Sequence, residues 1–294
     1  MLKWINRYWE RVLDMEFVKM HGLGNDFIIA LAGQPDLPET LYAQTAVKLC
    51  DRNFGIGADG LVIIGPDAEF DLFMRIFNSD GSEAEMCGNV IRCVAKHAWE
   101  TGMTKKTELG IRTLGGPRYT SLIMKDGQVS GVRVDMGQPI LEAEKIPVDW
   151  PASPVTDGQV KVDGRQFDFT AVSMGNPHCI IQVEDAVGFP LRQWGSLIET
   201  APLFPAKTNV EFVTVVDRKN VIMRVWERGA GVTLACGTGA CAVGVACALL
   251  QLTDRNVTVH LQGGDLLIEW SAADNHVYMT GPATRVFTGQ IDLN

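Results

Sequence analysis

Two short stretches of this chain place a cysteine and then a glycine at the start of an apolar segment. Residues 85–93 read EMCGNVIRC, and residues 235–243 read ACGTGACAV. The apolar spacing predicts helices over about 88–99 and 239–252. The second helix is apolar on nearly every face, as expected of a helix buried within sheets. The two stretches therefore predict two packed helices, each preceded by a cysteine.

The same order of residues leads up to both cysteines. An asparagine that follows a glycine lies 62 residues before the first cysteine and 60 residues before the second. A polar residue at the end of an alternating run lies nine residues before each cysteine. The matched pairs are Asn25 with Asn176, Asn78 with Glu227, and Cys87 with Cys236. This order indicates a duplication, with one strand-rich lobe in each half of the chain.

Short alternating runs occupy most of the remaining sequence and predict strands. Nine such runs begin with EFVKMHG at 16–22 and end with HVYMTG at 276–281, and a weaker helix is predicted over 40–50. The predicted fold is α/β (α+β), with one strand-rich lobe in each half of the chain, wrapped around its own helix. The predicted divisions are an N-terminal extension at 1–14, an N-terminal lobe at 15–133 plus 281–294 that carries Cys87, and a C-terminal lobe at 134–280 that carries Cys236.

Composition and charge exclude several classes of protein. The 294 residues carry a formal net charge of −9, which argues against nucleic acid or an anionic membrane as the main partner. No apolar run approaches the ~20 residues of a membrane-spanning helix, and residues 1–14 lack the apolar core of a signal peptide. Seven cysteines without a Cys-x-x-Cys pair predict free thiols in a reducing cytoplasm and argue against a metal site.

A cysteine at a helix N-terminus has a chemical use. The unpaired N–H groups and the helix dipole favour its thiolate form, and the following glycine lets a ligand approach the backbone. The N–H groups of Gly88–Asn89 and Gly237–Thr238 suit carboxylate oxygens. Two such sites could place a base and an acid on opposite faces of one substrate carbon, which suits inversion of its configuration. Nothing in the sequence suggests pyridoxal phosphate or a metal as an electron sink, so hydrogen-bond donors would have to stabilise the carbanion character.

Seven stretches resemble the diaminopimelate epimerases, cofactor-independent enzymes of lysine and cell-wall precursor synthesis. They occur in the order found in that family, from about Met15 to the C-terminus. The stretches are MHGLGNDF (20–27), DRNFGIGADG (51–60), FNSDGSEAEMCGN (77–89), GNPH (175–178), TNVEFV (208–213), ERGAGVTLACGTGA (227–240) and MTGPA (279–283).

The resemblance implies a fold, a reaction and a set of site residues. The implied fold has two pseudo-symmetric lobes, each a mixed β-sheet or barrel curled around a central helix. It implies that Cys87 and Cys236 are the catalytic pair, that no cofactor is needed, that diaminopimelate is the substrate and that the enzyme is a homodimer. His178 and Glu227 would tune the protonation of the thiols. The substrate-binding residues that the resemblance implies are Asn25, Asn78, Gly88, Asn89, Asn176, Asn209, Glu227, Arg228, Gly237 and Thr238.

Two departures from the family pattern leave alternatives open. Val90 stands where the family usually has a small residue, and Val232 stands where it usually has glutamate. A racemase of another amino acid, such as histidine or proline, therefore remains an alternative, although Asn89 replaces the histidine that proline racemases usually carry. An alternative of another class is a thiol redox sensor without catalysis. An isomerase of the phenazine-pathway type is disfavoured because that type lacks the cysteine pair.

Overall fold

The structure is a computed structural model that describes residues 14–34 and 37–293. The predicted N-terminal extension lies outside the described residues, except for Asp14, which begins the first strand. The strands are β1 Asp14–Gly22, β2 Asn25–Leu31, β3 Gly60–Pro66, β4 Leu72–Asn78, β5 Glu83–Ala84, β6 Glu108–Thr113, β7 Gly116–Lys125, β8 Gln128–Asp135, β9 Gly158–Val162, β10 Arg165–Ser173, β11 Pro177–Gln182, β12 Asn209–Asp217, β13 Asn220–Glu227, β14 Gly231–Thr233, β15 Asn256–Leu261, β16 Gly264–Trp270, β17 Val277–Gly281 and β18 Thr284–Asp292. The α-helices are α1 Tyr42–Cys50, α2 Gly88–Glu100, α3 Leu191–Glu199 and α4 Gly237–Leu249.

The described residues divide into two compact units. The first comprises those up to Arg118 together with those from Ala283 onward, and the second comprises Tyr119–Pro282. The sequence analysis placed the first boundary between the two lobes after residue 133. Strand β8, which spans that position, pairs with β7 and with β17, and it lies in the second unit.

The two units share one order of strand pairing. In the first unit, β1 pairs antiparallel with β2, β2 parallel with β3, β3 antiparallel with β4, and β4 parallel with β6. In the second unit, the same sequence of pairings joins β10, β11, β12, β13 and β15. Each unit also places a short strand and then a helix after the fourth strand of this series. The predicted mixed sheets and pseudo-symmetry are therefore present.

Helix α4 lies at the centre of the second unit. It contacts β10 to β13 and β15 to β17, and ten of its thirteen residues are buried. A Cβ atom on Gly244 would lie 2.7 Å from Ile268 Cγ2, so the small side chains of this helix let the strands approach closely. In the described part of the chain, no helix is both long enough and apolar enough to cross a membrane.

Helix α3 was not predicted from the sequence. Its residues Leu191, Trp194 and Ile198 are buried and belong to an apolar cluster with Phe212 of β12. Helix α1 occupies the equivalent place in the first unit, between two parallel strands, and packs its own cluster there. The duplication could therefore have predicted α3. Strands β11 and β12 are parallel, like β2 and β3, and two adjacent parallel strands need a crossover connection.

Candidate active site

Both cysteines occupy the same position at the start of a helix. Cys87 is the N-cap of α2 with φ −141° and ψ 118°, and Cys236 is the N-cap of α4 with φ −123° and ψ 112°. The carbonyl of Cys87 accepts from the N–H of Ile91 at 3.1 Å, and that of Cys236 accepts from Ala240 at 3.0 Å. Each cysteine therefore marks the point where extended backbone becomes helix, close to the unpaired N–H groups of the first turn.

In the first unit, Cys87 belongs to a cluster with Asn25, Asn89 and Asp59, which we call the first cysteine cluster. Asn25 donates its Nδ2 to Asp59 at 2.6 Å. Its Oδ1 then faces Cys87 Sγ at 3.6 Å and accepts from Asn89 Nδ2 at 3.2 Å. Asp59 thus fixes the orientation of the Asn25 amide and presents its oxygen to the thiol. The sequence analysis gave no site role to Asp59.

Basic residues form ion pairs with Asp59 and with the neighbouring Asp26. Arg52 bridges Asp59 at 2.8 Å and Asp26 at 2.7 Å, and Lys19 contacts Asp26 at 2.7 Å. Burial opposes the ionisation of Asp26, yet hydrogen bonds and charge from Arg52 and Lys19 hold its pKa at about 2. The carboxylates next to Asn25 are therefore paired with the cationic side chains of Arg52 and Lys19.

The buried Arg92 fixes the second asparagine of the first cysteine cluster. Its side chain is 0% exposed and donates to Asn89 Oδ1 at 3.0 Å and to the carbonyl of Gly88 at 2.9 Å. Arg92 lies three residues after Asn89, a spacing that puts both side chains on one face of the helix and could have indicated their contact.

Asn78 ends β4, and its Nδ2 donates to Ser82 Oγ at 3.0 Å.

In the second unit, Cys236 belongs to the second cysteine cluster, with Glu227, Thr233 and Thr238. Cys236 is 4% exposed, and its Sγ lies 3.5 Å from Thr238 Oγ1. The Glu227 carboxyl accepts from the Thr233 hydroxyl and lies near enough to the Cys236 thiol for its charge to raise the pKa of that thiol. The residues at the end of β13 and along β14 thus enclose the thiol.

The environment of Cys236 corrects the expectation of a favoured thiolate. Burial, followed by the nearby carboxylates Glu227 and Glu211, raises the pKa of this thiol well above its ordinary value. Burial also raises the pKa of Glu227, although its hydrogen bond to Thr233 opposes the shift. Loss of hydration and like charge outweigh the helix terminus here, so Cys236 is a protonated thiol at neutral pH.

His178 connects a buried carboxylate to Asn176. Its Nδ1 lies 2.7 Å from Glu211 Oε1, and its Nε2 lies 3.0 Å from Asn176 Oδ1. Each ring nitrogen thus faces an oxygen, so the imidazole bridges the buried Glu211 carboxyl group and the Asn176 amide. His178 therefore contacts the Oδ1 of Asn176, whereas Asp59 accepts a hydrogen bond from the Nδ2 of Asn25.

Glu211 is a site residue that the sequence analysis missed. It is 0% exposed, and its Oε2 has no hydrogen-bond partner within the described residues. A Cβ atom on Gly239 would lie 2.7 Å from Glu211 Oε1 and 3.3 Å from Cys236 Cβ, so the glycine at 239 lets the carboxylate approach the helix. An acidic residue inside the apolar run VEFVTVV was the available signal, since unpaired acids are rarely buried.

Asn209 and Arg228 lie together at a turn that a second buried acid supports. Asn209 donates to the Pro177 carbonyl at 2.8 Å and accepts from the Arg228 backbone N–H at 2.9 Å. Glu199 of α3 accepts from Gly229 N at 3.0 Å and from Trp226 Nε1 at 2.7 Å. Arg228 itself points to solvent and donates to the Ala206 carbonyl. The backbone of the Glu227–Arg228 turn is thereby held on both sides.

Comparison with known sequences identifies the family. The sequence profile named diaminopimelate epimerase matches residues 17–142 and 170–286. The chain belongs to the diaminopimelate epimerase family. The diaminopimelate epimerase of Moorella thermoacetica is 55% identical over 95% of this chain and 100% of its own length. That of Methanococcus maripaludis strain C5 is 52% identical over the same fractions.

Solved structures extend the similarity to other members of the fold. A hydroxyproline epimerase from Agrobacterium vitis covers 97% of this chain and 94% of its own, with a TM-score of 0.67 and 17% identity. A phenazine biosynthesis protein of the PhzF family from Bacillus anthracis covers 95% of this chain and 99% of its own, with a TM-score of 0.69 and 16% identity. At such low identity these structures establish the fold that this diaminopimelate epimerase family member shares with them.

Both departures from the family pattern lie in packed positions. Val90 is 0% exposed within α2. Val232 lies opposite Trp226 in the β13–β14 pair and packs against the apolar cluster beneath α3. Both valines therefore contribute apolar packing next to the cysteine clusters.

The raised pKa of Cys236 predicts slow chemical modification in the free protein. At pH 7 we expect iodoacetamide to alkylate Cys236 more slowly than a free thiol, with a rate that still rises above pH 9, because only the thiolate reacts. Peptide mass spectrometry would follow this site separately from Cys87. The control is Glu227→Gln, which should accelerate the reaction by removing a negative charge. Alkylation of Cys236 at pH 7 as fast as that of a model peptide would contradict the raised pKa.

Proposed function

We propose that this protein interconverts L,L- and meso-2,6-diaminopimelate without a cofactor, as an isomerase of lysine and peptidoglycan precursor synthesis. The observation that carries the proposal is the pair of matched N-cap cysteines in a chain of the diaminopimelate epimerase family. Each thiol lies beside the first turn of a packed helix, where N–H groups can hold a carboxylate.

The proposed chemistry uses one thiolate and one thiol. The thiolate takes the proton from the α-carbon, and the electron pair of the broken C–H bond stays on that carbon. The thiol of the other cysteine then gives its proton to the opposite face, which inverts the configuration and exchanges the protonation of the two sulfurs. Cys87 and Cys236 fill these roles, and the N–H groups of Gly88–Asn89 and Gly237–Thr238 stabilise charge that spreads onto the α-carboxylate.

The second cysteine cluster suits the role of proton donor at the start of a turnover. The carboxylates of Glu227 and Glu211 favour the protonated form of Cys236. We infer that Cys236 is the proton donor, and Cys87 the base, for one of the two isomers, and that the roles are exchanged for the other isomer. Glu227 then tunes the thiol through its charge, and His178 acts on the thiol through Glu211, which it contacts at 2.7 Å.

The polar residues outside the thiols would bind the amino and carboxylate groups of the substrate. The amides of Asn25, Asn176 and Asn209 are held by a carboxylate, an imidazole and a backbone carbonyl in turn, so their orientation is set before a ligand arrives. The charged pair at the β13–β14 turn would bind the distal amino-acid end. The proposed set is Asn25, Asn78, Asn89, Asn176, Asn209, Glu227 and Arg228.

The proposal is tested by following α-hydrogen exchange in heavy water with a panel of amino acids and no added cofactor. We expect deuterium incorporation with L,L- and meso-diaminopimelate alone, with separate time courses from each isomer. Exchange of histidine or proline at a comparable rate would favour the racemase alternative. An absence of exchange with every substrate, at full folding, would leave the thiol-sensor alternative.

We also propose that the enzyme is a homodimer. Strand β18 carries the exposed side chains of Val286 and Phe287, 55% and 46% exposed, on a surface that an identical chain could cover. Light scattering should give a solution mass twice that of one chain, and Phe287→Asp should lower it. A mass of one chain for the unmodified protein at micromolar concentration would contradict the proposal.

A further inference from the structure

A cavity of about 660 Å³ lies on the second unit, at the start of α3. Its walls come from the first turn of α3, from β13 and β14, and from the turn between β15 and β16. The lining residues are Phe189, Pro190, Leu191, Arg192, Gln193, Arg224, Val232, Thr233, Leu234 and Gln262. It shares only Thr233 with the second cysteine cluster, and the proposed reaction leaves it without a role.

Two arginines without acidic partners line this cavity. Within the described residues neither Arg192 nor Arg224 takes part in an ion pair, and the buried Nε of Arg224 has no hydrogen-bond partner. The other arginines of this unit that pair do so with carboxylates, as Arg218 does with Asp254 at 2.7 Å. An unpaired guanidinium group that lines a cavity can donate to an oxyanion ligand. Three other arginines of this unit also lack an acidic partner in the described part of the chain, but Arg165 and Arg255 lie over aromatic rings and Arg228 donates to a backbone carbonyl.

The remaining walls define the kind of ligand. The side-chain amides of Gln193 and Gln262 add N–H donors to those of the arginines. The other lining is apolar, with Phe189, Leu191 and Val232 among its members. A cavity of this volume exceeds what an inorganic anion would fill. The lining therefore combines donors for an oxyanion with a wall for an apolar body.

We propose that this cavity is a binding site for a small organic oxyanion, a phosphate monoester or a carboxylate that carries an apolar group. The guanidinium groups of Arg224 and Arg192 bind the oxyanion, and the apolar side chains contact the remainder of the ligand. The site is separate from the chemistry at the cysteines, and its occupancy does not depend on turnover.

Isothermal titration calorimetry of the full chain tests the site with four probes: phenyl phosphate, phenylacetate, inorganic phosphate and benzyl alcohol. We expect saturable binding of phenyl phosphate or phenylacetate, weaker binding of inorganic phosphate, and none of benzyl alcohol. The stronger of the two organic anions identifies the source of the oxyanion. Arg224→Met and Arg192→Met should each raise the Kd by about tenfold or more, because each removes a charged hydrogen bond to the ligand. The circular dichroism of both variants should stay unchanged.

The matched control is Arg228→Met, an arginine of the same unit that lies in the proposed active site. It should bind the organic anion as the unmodified protein does. The inference is overturned by equal binding in the Arg224 and Arg192 variants, by loss of binding in the Arg228 variant alone, or by equal binding of benzyl alcohol. If Arg224→Met does not fold, the exposed Arg192 still decides the outcome.

Discussion

Replacing either Cys87 or Cys236 with alanine is expected to abolish epimerisation in both directions. We expect turnover to fall by about three orders of magnitude or more, because each direction of the proposed reaction needs one sulfur as base and the other as acid. The measurement is the steady-state rate from L,L- and from meso-diaminopimelate, with deuterium incorporation as a second readout. Both single variants should lose as much activity as the double variant, since the two groups act as a unit.

The control for this experiment is Cys93→Ala. Cys93 lies six residues after Cys87 in the same helix, is 0% exposed, and burial raises its pKa to about 12. Removing its sulfur should lower the free energy of unfolding by about 1 kcal/mol and leave turnover near that of the unmodified protein. Ordinary turnover in either Cys87→Ala or Cys236→Ala would show that the two-base assignment is wrong.

Glu211→Gln is expected to lower kcat/KM for diaminopimelate by about a hundredfold. The substitution keeps the shape of the side chain but removes the charge that pairs with His178 across 2.7 Å in a fully buried place. Without that charge the contact that positions the His178 ring is weaker, so His178 in turn holds Asn176 Oδ1, 3.0 Å from its Nε2, less firmly. The measurement is the steady-state rate from L,L- and from meso-diaminopimelate.

A second readout separates this role from a structural one. Glu211 is one of the two carboxylates that raise the pKa of Cys236, so Glu211→Gln should accelerate alkylation of Cys236 at pH 7 while turnover falls. The matched control is Asp265→Asn, which removes the acid from an exposed histidine pair in the same unit, His260–Asp265 at 2.8 Å. That variant should change neither rate. Slower turnover with unchanged alkylation in Glu211→Gln would contradict the electrostatic role of Glu211.

Local sequence was sufficient for the elements that contain the cysteines. The alternating runs around Asn78 and Glu227 form strands, and the apolar stretches after Cys87 and Cys236 form helices. Helix α3 was missed although the duplication implied a connection there, because its apolar spacing is short and begins at a proline. The order of motifs thus carried more information about the fold than the propensity of any one segment.

The supporting shell of the cysteine clusters could not be predicted in the same way. Asp59 lies 34 residues from Asn25, just before β3, which is parallel to the strand that begins at Asn25. Glu211 lies 33 residues from His178, in the adjacent parallel strand. Arg92 was within reach of sequence reasoning, since it is a charged residue on the buried face of α2. The others needed the register of the parallel strands, which no short sequence pattern specifies.

The sequence by itself determined where each thiol lies along the chain: at the residue before a packed helix, next to a glycine, in two matched copies. The tertiary structure alone decided how Cys236 ionises. The unpaired N–H groups at a helix start favour a thiolate, and that effect is local to the first turn. Burial by strands of the second unit and the carboxylates of Glu227 and Glu211 act in the opposite direction and prevail, because charge is most costly where water is excluded.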